Sequence, residues 1–473
     1  MLLPPHLPPH AEVFSRDGYN EMMSEVDSSA SRVAGGPNSL AQSRWEKVRI
    51  ATRALRHRNF QLFLGGQFLS LIGTWVQSVA LSWLVYRLTG SSIMLGVVAF
   101  ASQIPYLFSP IGGVLADRIN RRRLVLLTQT LSTIQAVVLA WLTLAGTIRV
   151  WHIFYLALAL GIIGLFDMTG RQAFLVEMVG KEDLMNAIAL NSSVYNSGRI
   201  LGPAVAGVLV AAIGEGWCFA VNAASFAAVI VGLLLMRLPP APARPRGVSP
   251  VQQFRQGLDY IRHHRPSRAL LLNLGIVSIM NYPFIVLMPV FADQILGGGP
   301  KTLGILMSAF GVGALLGALY MATRTALRGL SRTIVRATIV YSIALISFAF
   351  SRSIPLACFF LVVAGAGMLL QVASTNTSIQ SITPDALRGR VMGFYGMMFL
   401  GMVPLGSLLA GWLGEWIGPR FAVSFGAVVC IAAALLFNRQ RVVVAAALRQ
   451  VMEEQAGMVP LPTALPRDAD NGN

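Results

Sequence analysis

The chain has 473 residues, of which 55% are hydrophobic and only 12% are charged, with 37 Lys and Arg against 20 Asp and Glu. A soluble protein of this length carries about 25% charged residues, so the composition excludes an ordinary soluble domain. Apolar runs of about 20 residues recur along the chain, enough to cross a hydrocarbon layer about 30 Å thick as a helix. The sequence therefore predicts an all-α, polytopic membrane protein.

The amino-terminal segment, residues 1–58, is predicted to be a cytosolic tail. Residues 1–44 are rich in Ser, Pro and Gly without a repeating pattern, which is typical of disorder. Between residues 45 and 58, five Lys and Arg alternate with apolar residues. This pattern favours a basic amphipathic helix on the membrane surface, with a solvated tail as the alternative.

Twelve membrane-spanning segments are predicted, in two groups of six. The groups occupy residues 59–236 and 269–438, residues 237–268 form a cytosolic linker, and residues 439–473 form a cytosolic tail. In the linker, Val251, Phe254, Leu258 and Ile261 share one face of a predicted amphipathic helix along the inner surface. The predicted spans lie near residues 60–86, 92–116, 123–145, 151–178, 186–213, 217–236, 269–292, 302–322, 333–350, 354–382, 391–414 and 420–438.

Positive charge is distributed unevenly over the connections between the spans. With a cytosolic amino terminus, the inner connections between residues 117 and 441 hold 20 Lys and Arg, and the outer ones hold five. Lys and Arg accumulate on the cytoplasmic side of membrane proteins. We therefore expect a protein of the cytoplasmic membrane with both termini in the cytosol. The same loops account for most of the net charge of +17 without a nucleic-acid partner.

The two halves contain an internal repeat at an offset of 204 residues. Leu201, Gly202, Ala206, Gly207 and Gly214 correspond to identical residues in the second half, namely Leu405, Gly406, Ala410, Gly411 and Gly418. Duplicated six-helix halves are typical of one large class of secondary transporters. Two pseudo-symmetric bundles are therefore expected.

The residue types that support enzyme chemistry or ATP hydrolysis are not arranged for either. The three cysteines fall in apolar runs, and neither they nor the six histidines have metal-site spacing. The only Gly-Lys pair lacks the remainder of a phosphate-binding loop. We expect no metal, no cofactor and no enzymatic activity, so that energy must come from a gradient.

The stretch "GGVLADRINRRR", from Gly112 to Arg123, carries five charges directly after an apolar run. It resembles the signature that the major facilitator superfamily has between its second and third helices, and the resemblance covers residues 59–438. It implies the twelve-helix fold of that superfamily. The signature residues would gate the cytosolic side, with Glu177 holding an arginine and Asp117 pairing with arginines at the start of span 11. The gating candidates are Gly112, Gly113, Asp117, Arg118, Arg121, Arg122, Glu177, Arg388 and Arg390.

A second stretch, "GRILGPAVAG" in span 5, resembles the exporter signature of the same superfamily. Its small residues would allow close helix packing and its proline would bend the helix. Together with "RQAFLVEMV" and "TPDALRGRVMGFYG", it resembles the branch that includes the bacterial enterobactin exporter. The packing candidates are Gly198, Gly202, Pro203 and Gly207.

Ionisable residues inside the spans are the main candidates for substrate binding and coupling. Asp167 and Arg171 are four residues apart in span 4, so they share a helix face and can pair. The pair is either a self-neutralising structural contact, or a site in which Arg171 attracts an anionic substrate and Asp167 exchanges a proton. Arg199 in span 5 either belongs to this site or stabilises the packing of spans 4 and 5. Polar and aromatic candidates for the pathway are Trp75, Gln77, Asn281, Tyr282, Gln371 and Asn376.

The functional hypothesis is a monomeric secondary transporter that exports a small organic molecule, a siderophore or drug-like amphiphile, by proton antiport. Its partners would be the substrate, the proton gradient and the lipid bilayer. An importer of a sugar or other metabolite is the alternative, which the resemblance to the exporter signature disfavours. A membrane-embedded enzyme is the alternative from another class, and the sequence contains no catalytic constellation that supports it.

Overall fold

The computed structural model describes residues 53–108, 120–180, 182–236, 250–324, 327–455 and 457, and every regular element in these ranges is helical. A short 3-10 turn, Arg53–Arg56, is all that is described of the predicted amphipathic segment before the first span. The helices are α1 (Arg58–Thr89), α2 (Ser92–Gln103), α3 (Arg121–Leu144), α4 (Val150–Val179), α5 (Leu184–Leu235), α6 (Pro250–His263), α7 (Arg265–Met280), α8 (Gly299–Ala322), α9 (Leu330–Ala349), α10 (Ile354–Ile382), α11 (Asp385–Gly396), α12 (Val403–Trp416) and α13 (Pro419–Gln455).

The surface of α3 shows that these helices are built for lipid. Leu127, Ile134 and Trp141 are seven residues apart on one face and expose 54%, 54% and 66% of their surface. The polar residues Ser132 and Gln135 on the opposite face expose only 4% each. A helix that exposes its apolar face and buries its polar face is unstable in water and suited to a bilayer. The protein is therefore an all-α, multi-pass membrane protein, as its composition predicts.

Ten stretches of the described chain are long and apolar enough to cross a membrane. One of them, α5, has 52 residues and crosses twice, because it is interrupted at Gly214, where φ is 78° and ψ is 170°. The shorter apolar stretch Ser92–Phe108 coincides with the first part of the predicted second span, and the remainder of that predicted span lies outside the described residues. With α5 counted twice and α2 included, the ten stretches correspond to the twelve predicted spans.

The contacts of α1 show that the chain reverses direction at Gly214. Leu71 lies against Gly198 and Trp75 against Gly202, so α1 runs parallel to the first part of α5. Gly66, which precedes Leu71, lies against Val229, so α1 runs antiparallel to the second part. A backbone with positive φ and extended ψ is essentially restricted to glycine. Gly214 thus forms the turn that the sequence predicts between residues 213 and 217.

Two predicted spans are interrupted at prolines. Span 7 is α7 as far as Met280, then a 3-10 segment Tyr282–Leu287 and a π turn Phe291–Ile295. Span 11 is α11 and α12, joined by a π turn, Met397–Gly401, just before Pro404. Proline has no backbone N–H and clashes with the preceding turn, so the helical hydrogen bonds shift their register at these points.

The repeat read from the sequence is present in the packing of the two halves. Gly202 lies against Trp75 of α1, while its counterpart Gly406 lies against the carbonyl of Ile279 in α7. Gly418, the counterpart of Gly214, also has a positive φ, of 83°. Helices that correspond by the 204-residue offset therefore make corresponding contacts. This confirms two pseudo-symmetric bundles.

The linker helix and the last helix are both packed into the second bundle. Ile261 of α6 is 8% exposed and shares an apolar cluster with α7, α9, α10, α11 and α13. The sequence predicts a tail from residue 439, but α13 continues to Gln455. Val444 and Leu448, one turn apart, are 0% and 2% exposed within the same cluster. Burial of this apolar face keeps the helix intact beyond the predicted boundary.

The turn at Gly214 generates the first testable prediction. Gly214→Ala should destabilise the first bundle by about 1–3 kcal/mol, because alanine is strained in this backbone conformation. Gly396→Ala is the matched control, since a Cβ there meets nothing within 4 Å and the backbone is helical, with φ −60°. The measurement is the melting temperature in detergent. Equal melting temperatures for the two variants would contradict the turn.

Candidate transport site

The predicted pair of charges on α4 is the centre of a polar cluster in the first bundle. The Nε of Arg171 lies 2.5 Å from Oδ2 of Asp167. The other carboxylate oxygen, Oδ1, accepts hydrogen bonds from Thr128 Oγ1 at 2.7 Å and from Gln129 Nε2 at 2.9 Å. Both partners come from α3, so its buried polar face holds the carboxylate in place.

The two charged side chains differ in how many of their polar atoms have a hydrogen-bond partner. Asp167 has both carboxylate oxygens occupied, whereas the Nη1 atom of Arg171 is buried and has no hydrogen-bond partner among the described residues. An unpaired buried donor is costly and is rare in folded proteins. The Asp167 carboxylate therefore fixes the guanidinium through Nε and leaves Nη1 available to another acceptor.

Two tyrosines and a glutamine extend the cluster toward α1 and α2. Gln67 Nε2 of α1 lies 3.4 Å from the hydroxyl of Tyr195 in α5, and Gln67 Oε1 is buried with no partner among the residues that the structure describes. The hydroxyl of Tyr106 covers Gly164, one turn before Asp167 on α4, where a Cβ would approach it to 2.4 Å. Four elements thus contribute polar groups around the ion pair. Tyr195 nonetheless exposes 46% of its surface, so there is open space at this level.

The structure places Gln77 in a contact between helices. Its side chain is 2% exposed, donates to Gln135 Oε1 at 3.1 Å and accepts from Asn222 Nδ2 at 2.7 Å. These bonds join α1, α3 and the second part of α5. Trp75, two residues earlier, is half-buried and lies against Gly202.

The residues of the exporter-like motif bring α5 close to two different helices. Gly198 and Gly202 face α1, as described above. Gly207 faces α8 in the other bundle, where a Cβ would come within 2.9 Å of the Cα of Gly304. The carbonyl oxygen of Pro203 lies closer still, 2.6 Å from the position that a Cβ at Gly304 would take. Only small residues permit such close contact of two backbones.

Arg199 reaches the second bundle. Its guanidinium carbon lies 5.7 Å from the centre of the Phe310 ring in α8. Its backbone carbonyl lies against Gly311, in the next position of the same helix. Among the described side chains, no carboxylate lies within 4.0 Å of this guanidinium.

The remaining pathway candidates belong to the second bundle and differ from one another in burial and in hydrogen bonding. Asn281 is 0% exposed and donates to Ser342 Oγ at 2.9 Å, and Tyr282 packs edge-on to Phe399. Gln371 is 0% exposed, with both amide atoms unpartnered among the described residues. Asn376 accepts a hydrogen bond from Gln380, one turn later in α10.

The two bundles meet closely at the end where α1 leads into α2. Gly96 of α2 faces Gly411 of α12, with a Cβ–Cα distance of 3.1 Å, which matches the contact of Gly207 with Gly304. The Tyr86 hydroxyl donates to Asp293 Oδ2 at 2.9 Å. Glu415 Oε2 accepts from the backbone N–H of Ser92 at 2.7 Å, which places a carboxylate at the positive end of α2. These contacts close one end of the space between the bundles.

The gating candidates are described only in part. Arg122 Nη2 donates to the carbonyls of Leu233 at 2.8 Å and Leu234 at 3.2 Å, and Arg121 begins α3. Arg388 pairs with Asp385 at 2.5 Å, and Arg390 lies against Gly257 of α6. Outside the described residues lie Gly112, Gly113, Asp117, Arg118 and the side chain of Glu177.

Several residues of the cluster are absent from the sequence-based candidates. Thr128 and Gln129 belong to the stretch "TQTLSTIQ" in span 3, whose polar residues at intervals of three and four residues could have indicated a buried polar face. Gln67, Tyr106 and Tyr195 carry no comparable signal. They join the site through the packing of α1, of α5 and of the 3-10 segment Ile104–Phe108 after α2 around α4.

Comparison with known proteins identifies the family. Residues 51–471 match the family described as transmembrane secretion effector. The chain belongs to this family. This confirms the predicted membership of the major facilitator superfamily.

Individual relatives agree with this assignment. The chain is 24% identical to a staphyloferrin A transporter of Staphylococcus aureus, over 80% of this chain and 96% of the relative. It is 29% identical to the multidrug efflux pump Tap of Mycolicibacterium fortuitum, over 73% and 87%. Its fold is similar to that of a bacterial homologue of the human lysosomal transporter Spinster, with a TM-score of 0.59 and 16% identity over 86% of this chain and 99% of that one.

The ion pair on α4 gives a prediction that separates a structural from a functional role. Asp167→Asn and Arg171→Gln should each lower the melting temperature, because removing one partner of a buried pair costs about 3–5 kcal/mol. The double variant should recover stability while export stays absent. The matched control replaces both members of the Arg87–Glu215 pair, 2.8 Å apart at the α1–α2 end, with glutamine and should keep export. Normal export by the Asp167/Arg171 double variant would contradict a functional role.

Proposed function

We propose that this protein exports a small organic molecule across the cytoplasmic membrane by proton antiport, without catalysing a chemical reaction. The observation that carries the proposal is the Asp167–Arg171 pair, which lies in the first bundle within the membrane and beside open space. Ionisable groups inside membrane spans mark substrate and proton pathways. The names of the relatives, a siderophore transporter and a multidrug efflux pump, support a siderophore or a drug-like amphiphile as the substrate class.

The charge of the connections supports an orientation. The end at which α1 leads into α2 is poor in Lys and Arg, and the opposite end is rich in them. The protein then has its described chain termini on the cytosolic side, and the closed contacts of Gly96, Gly207 and Glu415 face outward. In this arrangement the polar cluster is reached from the cytosol, which is the state in which an exporter takes up its substrate.

Export requires a second state in which the cytosolic side closes. Asp117 is the candidate for this closure, by pairing with Arg388 or Arg390 at the start of α11. Arg388 already pairs with Asp385 in the described state, so closure would exchange one carboxylate partner for another. The arrangement resembles that of Glu415 at the opposite end of the same helix pair, where a carboxylate meets the start of α2. A carboxylate at each end would let each state have its own closing contact.

Proton coupling would act through the orientation of Arg171. While Asp167 is ionised, it holds Nε, and a small shift of the side chain would present the buried, unpaired Nη1 to an acceptor group of a substrate. A proton on Asp167, taken up from the outer side, weakens this pair and frees the guanidinium to turn away from the substrate. Proton and substrate then exclude one another, as antiport requires. Return to the cytosol-facing state releases the proton into the less acidic compartment.

The coupling is tested in inside-out membrane vesicles without ATP. An acidic lumen should drive uptake of staphyloferrin A or of a drug-like amphiphile, and a protonophore should abolish it. Vesicles with Arg171→Gln protein supply the control. Uptake that persists without a gradient would indicate facilitated diffusion, and uptake that requires ATP would refute a secondary transporter. Gradient-driven accumulation in right-side-out vesicles alone would favour the importer.

A further inference from the structure

Arg199 lies on the face of α5 that points toward the other helices. At about 100° per residue, Ala206 and Val210 are within about 20° of it around the helix. These two residues are 0% and 5% exposed. Leu201 and Val208 lie on nearly the opposite side of α5 and expose 48% and 56%, as lipid-facing residues do. The Arg199 side chain is therefore directed into the protein interior, midway along the first crossing of α5.

The Arg199 guanidinium has an aromatic neighbour but no counter-charge. Phe310 is its one described ring contact, and no hydrogen bond or carboxylate partner lies within reach among the described residues. The Arg199 residue is only partly buried, so its side chain is not fully enclosed by the described residues. A cation in the middle of a membrane protein is costly unless an anion or water compensates it. The site is built to receive a negative charge.

The neighbouring charges do not supply that anion. Asp167 is paired with Arg171 and bonded by two residues of α3, so this pair contributes no net charge. Tyr195 is one turn before Arg199 on the same inward face, and its hydroxyl lies 3.4 Å from Gln67 Nε2. The cavity is therefore lined by the neutral Asp167–Arg171 pair and by Arg199, whose positive charge is not balanced by a described residue.

We propose that Arg199 is an anion-binding residue and that the exported substrates carry a carboxylate, or another anionic group, that binds it. The anionic group would bind the side of the Arg199 guanidinium that the Phe310 ring does not cover, and the exposed Tyr195 side chain would contact its polar groups. This inference rests on the proposed export function and narrows its substrate class. It disfavours lipophilic cations, which Arg199 would repel.

The test measures binding without any gradient, using two xanthene dyes of similar size and opposite charge. Purified protein in lipid nanodiscs is titrated with fluorescein, an anion, and with rhodamine 6G, a cation, and anisotropy gives the dissociation constants. Wild-type protein should bind fluorescein at least about tenfold more tightly than rhodamine 6G. Arg199→Gln should remove this preference and Arg199→Lys should retain most of it. Arg352→Gln, in an exposed connection, is the control and should bind as wild type does.

The outcomes separate this inference from the function on which it rests. If Arg199→Gln melts as wild type does and keeps the preference for fluorescein, Arg199 is only a contact between the bundles and the inference is wrong. Equal binding of both dyes by wild-type protein, or no saturable fluorescein binding, would also overturn it. Gradient-driven export with no preference for anions would leave the proposed function standing. If the protein prefers the anionic dye but does not export in vesicles, the proposed export function is wrong and the inference about Arg199 stands.

Discussion

The close contact of backbones at two glycine pairs is the constraint on which the rest of the structure depends. In lipid, helices gain little from hiding apolar side chains from one another, so association depends on close packing and hydrogen bonds. Gly207 with Gly304, and Gly96 with Gly411, supply such contacts between the bundles. Because both pairs lie toward the same end, they bring the bundles together there and leave open space beside Tyr195. The repeat makes the two contacts equivalent, so neither bundle alone determines the closure.

The same geometry separates the residues that hold the fold from those available to a substrate. Gln77, Gln135 and Asn222 satisfy one another and join three helices of the first bundle. Among the described residues, Arg171 keeps an unpaired Nη1 atom and Arg199 has no carboxylate partner, although the unpaired amide of Gln371 shows that a missing partner alone does not identify a binding site. Buried polar groups in a membrane are normally paired. Under the proposed function, a transported molecule supplies the partner that the two arginines lack.

Much of this arrangement can be predicted from the sequence because membrane helices are specified by local patterns. The apolar runs predict the spans, and the repeat pairs Gly214 with Gly418, which the structure finds to share a positive φ. Spacing alone predicts the pair of Asp167 and Arg171. Tertiary contacts are not predictable in this way: Glu415 caps a helix more than 300 residues away, and Arg199 lies over a ring of the other bundle rather than between α4 and α5. The extension of α13 also depends on burial of Val444 against neighbours far apart in sequence.

The central claim is that the bundles close at one end while the other end admits substrate, and that the two ends alternate. Double electron–electron resonance on nanodisc-embedded protein tests it most directly, with one spin-label pair at each end. Thr147 and Arg352 are exposed in connections at the α1–α2 end, and Glu182 and Arg328 are exposed at the opposite end. The account predicts that a change of pH moves the two distances in opposite directions in the same population, so that the Thr147–Arg352 distance lengthens where the Glu182–Arg328 distance shortens. Distances that stay fixed, or that change in the same direction at both ends, would contradict it.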